Sequence, residues 1–219
     1  MHVVIAGGHG KIALRLARLL AAQDVRVTGL IRNPDHAEDV RRAGARPQVC
    51  DLERVSVEEV AAHLEGADAA VFAAGAGPGS GAARKDTVDR AASVLLADAA
   101  ERTGVRRFLQ ISAMGADRLP RPGSDEVWAA YITAKGRAEA DLRARDLDWL
   151  ILRPGRLTDA PGTGLVTLAE PEVGRAEVTR DDVAAVLAAL LHAPAVRRRT
   201  LELVNGTTPI EEAVAALTA

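Results

Sequence analysis

The chain predicts an α/β fold of the doubly wound kind, an open parallel sheet with helices on both faces, in a single domain over residues 1–219. Three observations carry this expectation. Short apolar runs alternate with segments of helical period from end to end, joined by short connections. The apolar runs are continuous rather than alternating, the pattern of strands covered on both faces. Capping signals stand in front of the helical segments.

The elements follow in order. Residues 3–6 form the first expected strand. Residues 11–22 form a helix, with Ile12, Leu16, Leu19 and Leu20 recurring at helical spacing. The second strand covers 25–31. Asn33-Pro34 opens a helix, Asn as cap and Pro in the first turn, which ends near Gly44. A short third strand, 47–50, leads into Asp51-Leu52. Ser56-Val57-Glu58-Glu59 has the form of a capping box, and its helix stops near Gly66. Residues 69–74 read as a fourth strand, 75–81 as a loop of Gly, Pro, Ser and Ala, and 87–103 as a long amphipathic helix ending before Gly104. The fifth strand, 107–111, ends at Ser112. Residues 131–145 are helical, and 149–152 form a sixth strand ending in Arg153-Pro154-Gly155.

The last third is less regular. Thr179-Arg180-Asp181-Asp182 caps a helix to about His192, and 200–204 form a strand. Thr208-Pro209-Ile210-Glu211 reads as another capping box that opens a final helix. No repeat, low-complexity tract or linker interrupts the series, so 156–219 is expected to supply substrate-side and C-terminal elements of the same domain.

Composition bounds the partners. Hydrophobic residues make up 48% and charged residues 26%, enough for a sizeable core. Aromatics are only 2%, so that core must be built from Ala, Leu and Val. A net charge of −2, with no basic stripe beyond Arg197-Arg198-Arg199, argues against nucleic acid as a partner. No apolar stretch approaches a membrane span, and the first reads as a strand rather than a signal peptide. Cys50 is the single cysteine, which precludes an internal disulfide and fits a reducing, cytoplasmic compartment. It follows Val49 in an apolar run and reads as a small buried hydrophobe rather than a nucleophile. The five histidines are scattered without metal-ligand spacing, so no metal is expected. The expected partner is a small-molecule substrate, and the expected assembly a monomer or homodimer.

The first strand-to-helix junction carries the clearest site signal. Gly7, Gly10 and Ala13 give the spacing G-x-x-G-x-x-A where an apolar strand meets a helix. The glycines allow a sharp turn and close approach of phosphates, and Ala13 lets the helix pack near the strand. The free N–H groups of the first helical turn can then face a dinucleotide pyrophosphate. The end of the second strand selects the dinucleotide. Leu30-Ile31-Arg32-Asn33 offers no acid for a ribose 2′-hydroxyl, whereas Arg32 can pair with a 2′-phosphate, so NADP(H) is favoured over NAD(H). Asp51, beside Leu52, reads either as an acceptor for the adenine amino group or as a turn cap. Ala73, Ala74 and Gly75 suit close backbone approach to the cofactor's central ribose.

A second constellation carries chemistry. Tyr131-Ile132-Thr133-Ala134-Lys135 sets a phenol and an ammonium four residues apart on one helix face. Free tyrosine is a poor base at neutral pH, and a neighbouring cation favours its phenolate. The phenol of Tyr131 can then exchange a proton with a substrate oxygen while hydride moves. Lys135 would tune the phenol and hold the nicotinamide ribose, and Ser112 would orient the substrate oxygen.

Together these stretches resemble the atypical short-chain dehydrogenase/reductases, specifically the compact NAD(P)H-binding Rossmann proteins of the epimerase/dehydratase-like group. Further matching stretches are residues 152–158 (Leu-Arg-Pro-Gly-Arg-Leu-Thr) and 178–184 (Val-Thr-Arg-Asp-Asp-Val-Ala), so the resemblance covers nearly the whole chain. It implies that Gly7, His9, Gly10, Lys11 and Ile12 line the pyrophosphate. It implies that Arg32, with Asn33 beside it, takes the 2′-phosphate, and that the Arg153-Pro154-Gly155 turn sits near the nicotinamide. Residues 179–183 are implied to seat the C-terminal helix without chemistry. Many such relatives lack a full Ser-Tyr-Lys set, whereas this chain has one. The region after Pro154 is short beside that of the sugar-nucleotide epimerases, so a bulky nucleotide-sugar substrate is not expected.

The resulting expectation is an NADP(H)-dependent oxidoreductase of a small carbonyl or alcohol, with loops 75–81 and 119–126 flanking the substrate. The alternatives are a cofactor-binding sensor without turnover, and a reductase that passes hydride directly to a flavin-like ring.

Overall fold

Apolar runs with no polar face have to be covered on both sides, and the chain solves this with one central sheet. A computed structural model describes residues 1–77, 79–120 and 123–218. The chain runs β1 (His2–Ala6), α1 (Lys11–Ala21), β2 (Arg26–Ile31), α2 (Ala37–Arg42), β3 (Arg46–Val49), α3 (Val57–Leu64) and β4 (Ala69–Phe72). It continues through α4 (Ala82–Arg84), a π-helical segment (Lys85–Ala91) and α5 (Ala92–Thr103) to β5 (Arg107–Ile111) and α6 (Glu126–Arg143). The remainder is β6 (Asp148–Pro154), β7 (Arg156–Thr158), β8 (Leu165–Ala169), β9 (Glu177–Thr179), α7 (Arg180–Leu191), β10 (Arg199–Asn205), β11 (Thr208–Pro209) and α8 (Ile210–Ala215).

The nine-stranded sheet has the order β11-β8-β10-β6-β5-β4-β1-β2-β3, and β7 pairs with β9 apart from it. Neighbours from β10 to β3 are parallel, and β8 and β11 add an antiparallel edge. The direction of winding reverses between β1 and β4. In such sheets the crevice beyond the strand ends at this point is where ligands bind.

The pleat explains the continuous apolar runs. Val3 and Ile5 of β1 face the layer of α1, α7 and α8, while Val4 and Ala6 face α3 and α5. β6 repeats the division, Leu150 and Leu152 on one side and Trp149 and Ile151 on the other. The expected Rossmann architecture is therefore the observed one.

Local signals mostly act as read. Ser56 and Glu59 close a reciprocal capping box. Asn33 accepts from the Asp35 N–H and caps a 3-10 turn (Pro34–His36) ahead of α2. Thr179 accepts from the Asp182 N–H and caps α7. Four expectations are corrected. Thr208 caps nothing: Thr208–Pro209 is drawn into the sheet edge against β8, and α8 begins without a side-chain cap. Helix α6 starts at Glu126 rather than Tyr131, because the Asp125 carboxylate accepts from the Trp128 N–H one turn earlier. The helix expected from Thr87 begins at Ala82 and passes through the π segment. Strands β7, β8 and β9 were absent from the sequence reading. They are short; β7 buries no residue, β8 buries only Val166 and Leu168, and β9 buries Val178 and Thr179.

Candidate functional site

The site is built from the glycine turn outward. Gly7 adopts φ +78°, the left-handed region open to glycine. A Cβ there would lie 2.6 Å from the Ala74 Cα, and one on Gly8 would lie 2.7 Å from the Gly29 Cα. The turn is thus pressed between Ala74, just past β4, and Gly29 within β2, and only bare backbone fits. Gly10 is the N-cap of α1, offers no side-chain cap, and no acid stands in the first turn. The donors of that turn are left for an anion.

On one side of the turn opens a cavity of about 320 Å³, lined by Gly7, His9, Gly10, Arg32, Asn33, Asp51, Leu52 and Ala73–Gly75, among others. The β2-end arginine, the residues after β3 and the glycine turn are therefore brought together, as the sequence predicts. Arg32 is half-exposed and donates to Glu53 at 3.2 Å. Glu53 also accepts from Arg84 at 2.6 Å and Thr87 at 2.7 Å. The Arg84 bond in particular holds the Glu53 carboxyl below the usual carboxylate range, against a smaller opposing effect of burial. Asp51 lines this cavity and also accepts from the Glu53 N–H at 3.2 Å, so it serves as a turn cap. The His9 ring stacks on His36, centroids 3.7 Å apart, and its Nε2 lies 3.0 Å from Asp39. Cys50 lines the same cavity, and burial, helped by Glu59 and Asp51, pushes its thiol up to about 11. It is a packing residue, as its apolar setting suggests.

A second cavity, about 540 Å³, shares Ala73, Ala74 and Gly75 with the first and is lined by Ile12, Lys85, Asp89, Ser112, Trp128, Tyr131 and Lys135. The three residues expected to do chemistry thus meet at one place. Ser112 is 3% exposed, and its Oγ has no hydrogen-bond partner among the described residues. A buried hydroxyl without a partner stands out, since such groups are nearly always bonded. Tyr131 is half-buried, with Trp128 at 5.6 Å between ring centroids. Lys135 donates to the Ile111 carbonyl at 3.1 Å and sits 3.3 Å from Asp89. Asp89 in turn accepts from the Ala76 N–H at 3.1 Å, tying the loop after β4 to the same pair.

Helix α6 is fixed in register by its next inward residue. Tyr131, Lys135 and Glu139 are four apart and share a face. Glu139 is fully buried and receives two bonds from Arg153 of β6, at 2.9 and 2.6 Å. Arg153 also reaches Asp117 at 3.0 Å, and Arg143 reaches Glu139 at 2.7 Å. Burial works against the charge of Arg153, but Glu139 and Asp117 outweigh it and raise its proton affinity. Burial raises Asp117, and Arg153 overcomes this to hold the carboxyl below the ordinary range. Arg153 therefore clamps α6, while Pro154 and Gly155 line a third cavity of about 710 Å³ that shares Trp128, Tyr131 and Leu157 with the second.

One expected residue points elsewhere. The Lys11 side chain is exposed and donates to Asp159 at 2.6 Å, outside these cavities. Of the loops expected to flank the substrate, Pro78 and Arg121-Pro122 lie outside the described residues; of the rest, Gly75 and Gly77 of the first loop and Asp125 of the second border the second cavity. Sequence reasoning missed Lys85, Asp89, Arg84, Glu53 and Trp128. Lys85 and Asp89 stand at helical spacing, but the apolar periodicity marks the helix only from Thr87, which splits the two residues between loop and helix.

A family described as NAD(P)H-binding matches residues 7–194. The chain is 34% identical over 218 residues to the uncharacterised sugar epimerase YhfK of Bacillus subtilis, covering 99% of this chain and 100% of that one. A Bacillus halodurans structure provisionally named an NAD-dependent epimerase/dehydratase is 32% identical, covers 99% of both chains and superposes with a TM-score of 0.90. The oxidoreductase YlbE of Lactococcus lactis is 28% identical, with a TM-score of 0.87 over 99% of this chain and 96% of that one.

Proposed function

The chain belongs to the NAD(P)H-binding family, and from that premise we propose that it is an NADP(H)-dependent oxidoreductase acting on a small carbonyl or alcohol. One observation carries the reading. Ser112, Tyr131 and Lys135 line a cavity that shares the wall Ala73–Gly75 with the one holding the glycine turn and Arg32. The two neighbouring cavities set an anion-ready helix end and a cation on one side of Ala73–Gly75 and proton-transfer groups on the other.

The fit to a dinucleotide rests on the bare glycine turn that a Cβ would fill, the uncapped N-terminus of α1 and the unpartnered Ser112 hydroxyl. Gly7, Gly10 and the first turn of α1 would hold the pyrophosphate, and Arg32 a 2′-phosphate. When bound, the nicotinamide supplies or accepts hydride. The chain's own residues do the rest. Ser112 donates to the substrate oxygen and orients it. The Tyr131 phenol gives that oxygen a proton during reduction, or takes one during oxidation. Ile111, Val127, Trp128 and Leu157 give the second cavity its apolar wall.

The experiment compares the protein with Tyr131→Phe, each given NADPH with a panel of small carbonyls and with free flavins. Carbonyl-dependent NADPH oxidation that the substitution abolishes is the expected result. Flavin reduction that survives the substitution would replace this reading with direct hydride transfer. Tight NADPH binding with no turnover on either panel would make the protein a cofactor-binding sensor.

A further inference from the structure

The charges around the two cavities that Tyr131 borders do not all cancel. The second cavity sets Lys85 and Lys135 beside Asp89 and Asp125, two cations against two carboxylates. The charged groups of the third cavity are Arg156, Arg175 and Glu177. Arg156 pairs with Glu177. Arg175 forms no ion pair among the described residues, which leaves this cavity one cation in excess. The backbone around Arg175 is tied down. The Val173 N–H donates to Glu202 at 2.8 Å, and the Ala176 carbonyl accepts from the Arg156 N–H at 3.0 Å. Glu172 pairs with Arg118 of the segment after β5. The Arg175 side chain reaches that same segment: its Nη2 lies 3.3 Å from where a Cβ on Gly115 would stand. The remaining walls include Met114, Pro154, Leu157 and Trp128, and Trp128 is 47% exposed. An open indole beside an unpaired guanidinium suits a molecule with an apolar body and an anionic end.

We propose that the third cavity is a substrate subsite in which Arg175 pairs with a carboxylate, so that the substrate is an oxo acid, or the corresponding hydroxy acid, with an apolar body. The inference rests on the reading of Ser112 and Tyr131 as the groups that meet the reacting oxygen. Tyr131 and Trp128 line both cavities, so a substrate with that oxygen in the second extends its body past Trp128 into the third. The planar guanidinium fork matches a carboxylate in bidentate fashion. A carboxylate's single charge also balances the single cation in excess, whereas a phosphate monoester brings about −1.5 to −2. Arg175 takes no part in hydride or proton transfer. It selects among carbonyl compounds by charge.

Binding is tested apart from turnover. Calorimetric titration of the protein with β-naphthoate, β-naphthamide and β-naphthyl phosphate holds the apolar body constant and varies the charge. The acid should bind about tenfold to a hundredfold tighter than the amide, the range of a charge-assisted contact. In Arg175→Met that preference should disappear, and Arg175→Lys, which keeps the charge without the fork, should retain part of it. Equal binding of acid and amide, a preference that survives Arg175→Met, or no measurable binding of the acid overturns the proposal. A phosphate that binds tighter than the acid overturns the carboxylate assignment. With NADPH, para-carboxybenzaldehyde should be reduced with a higher kcat/KM than its methyl ester, the difference lying in KM, and Arg175→Met should remove that difference. Equal kcat/KM for the two aldehydes contradicts the proposal. Arg175-dependent binding of the acid without any carbonyl-dependent NADPH oxidation would refute the oxidoreductase reading and leave the anion subsite standing.

Discussion

At the scale of single residues, Arg32 and Cys50 make opposite predictions. Arg32 borders the first cavity with its guanidinium half-exposed, held among the described residues only by Glu53. Replacing it with Ala should weaken NADPH far more than NADH, by about 1.5–3 kcal/mol, the worth of a charge-assisted contact. Binding titrations with both cofactors check this, and equal loss for the two would remove the 2′-phosphate assignment. Cys50 lines the same cavity yet is held protonated at neutral pH. It should resist alkylation by thiol reagents in the folded protein and react only after unfolding; rapid labelling of the native chain would contradict its role as packing.

At the scale of elements, two devices carry the site. The first is the glycine turn. Gly7→Ala sets a methyl against Ala74 and a residue other than glycine at φ +78°. It should cost about 2–4 kcal/mol in stability and reduce NADPH binding, measured by denaturant melts and titration. The second is the clamp on α6. Glu139→Gln leaves the buried Arg153 without its bidentate partner, which should cost about 3–5 kcal/mol. The paired change Glu139→Leu with Arg153→Met should recover most of that loss, because the buried charge disappears with its partner. A single substitution costing under about 1 kcal/mol would show that α6 is held by its apolar face alone.

The elements also show how far the sequence was legible. The turn at Gly7–Gly10, Arg32, Ser112, Tyr131 and Lys135 could be read because their chemistry is local: a backbone turn, a strand end, a helical spacing. Lys85, Asp89 and Glu53 could not, because their meaning lies in partners 31 to 46 residues away along the chain: Arg84 for Glu53, Lys135 for Asp89 and Tyr131 for Lys85. The edge strands β8 and β11 were lost for the same reason. They are fixed by pairing with β10 and with each other, and little in their own composition marks them.

At the scale of the whole molecule, the reversal of winding between β1 and β4 places the ends of β1, β2, β4 and β5 around one crevice, and every group proposed to hold the cofactor or transfer the proton stands at those ends or on α6 beside them. The charge network also sets the acid limit of the fold. Asp117 and Glu53 ionise below the ordinary carboxylate range, so their contribution is complete above pH about 4 and is lost as pH falls through their lowered values. Thermal melts should therefore drop steeply in acid, and Asp117→Asn should flatten that dependence; a melt unchanged by the substitution would show that Asp117 contributes none of it. The most direct test of the account is a crystal structure of the complex with NADP. It should place the 2′-phosphate against Arg32, the pyrophosphate at the Gly7–Gly10 turn and the nicotinamide in the cavity of Ser112, Tyr131 and Lys135. A cofactor bound with its nicotinamide away from Tyr131, or with its 2′-phosphate away from Arg32, would contradict it.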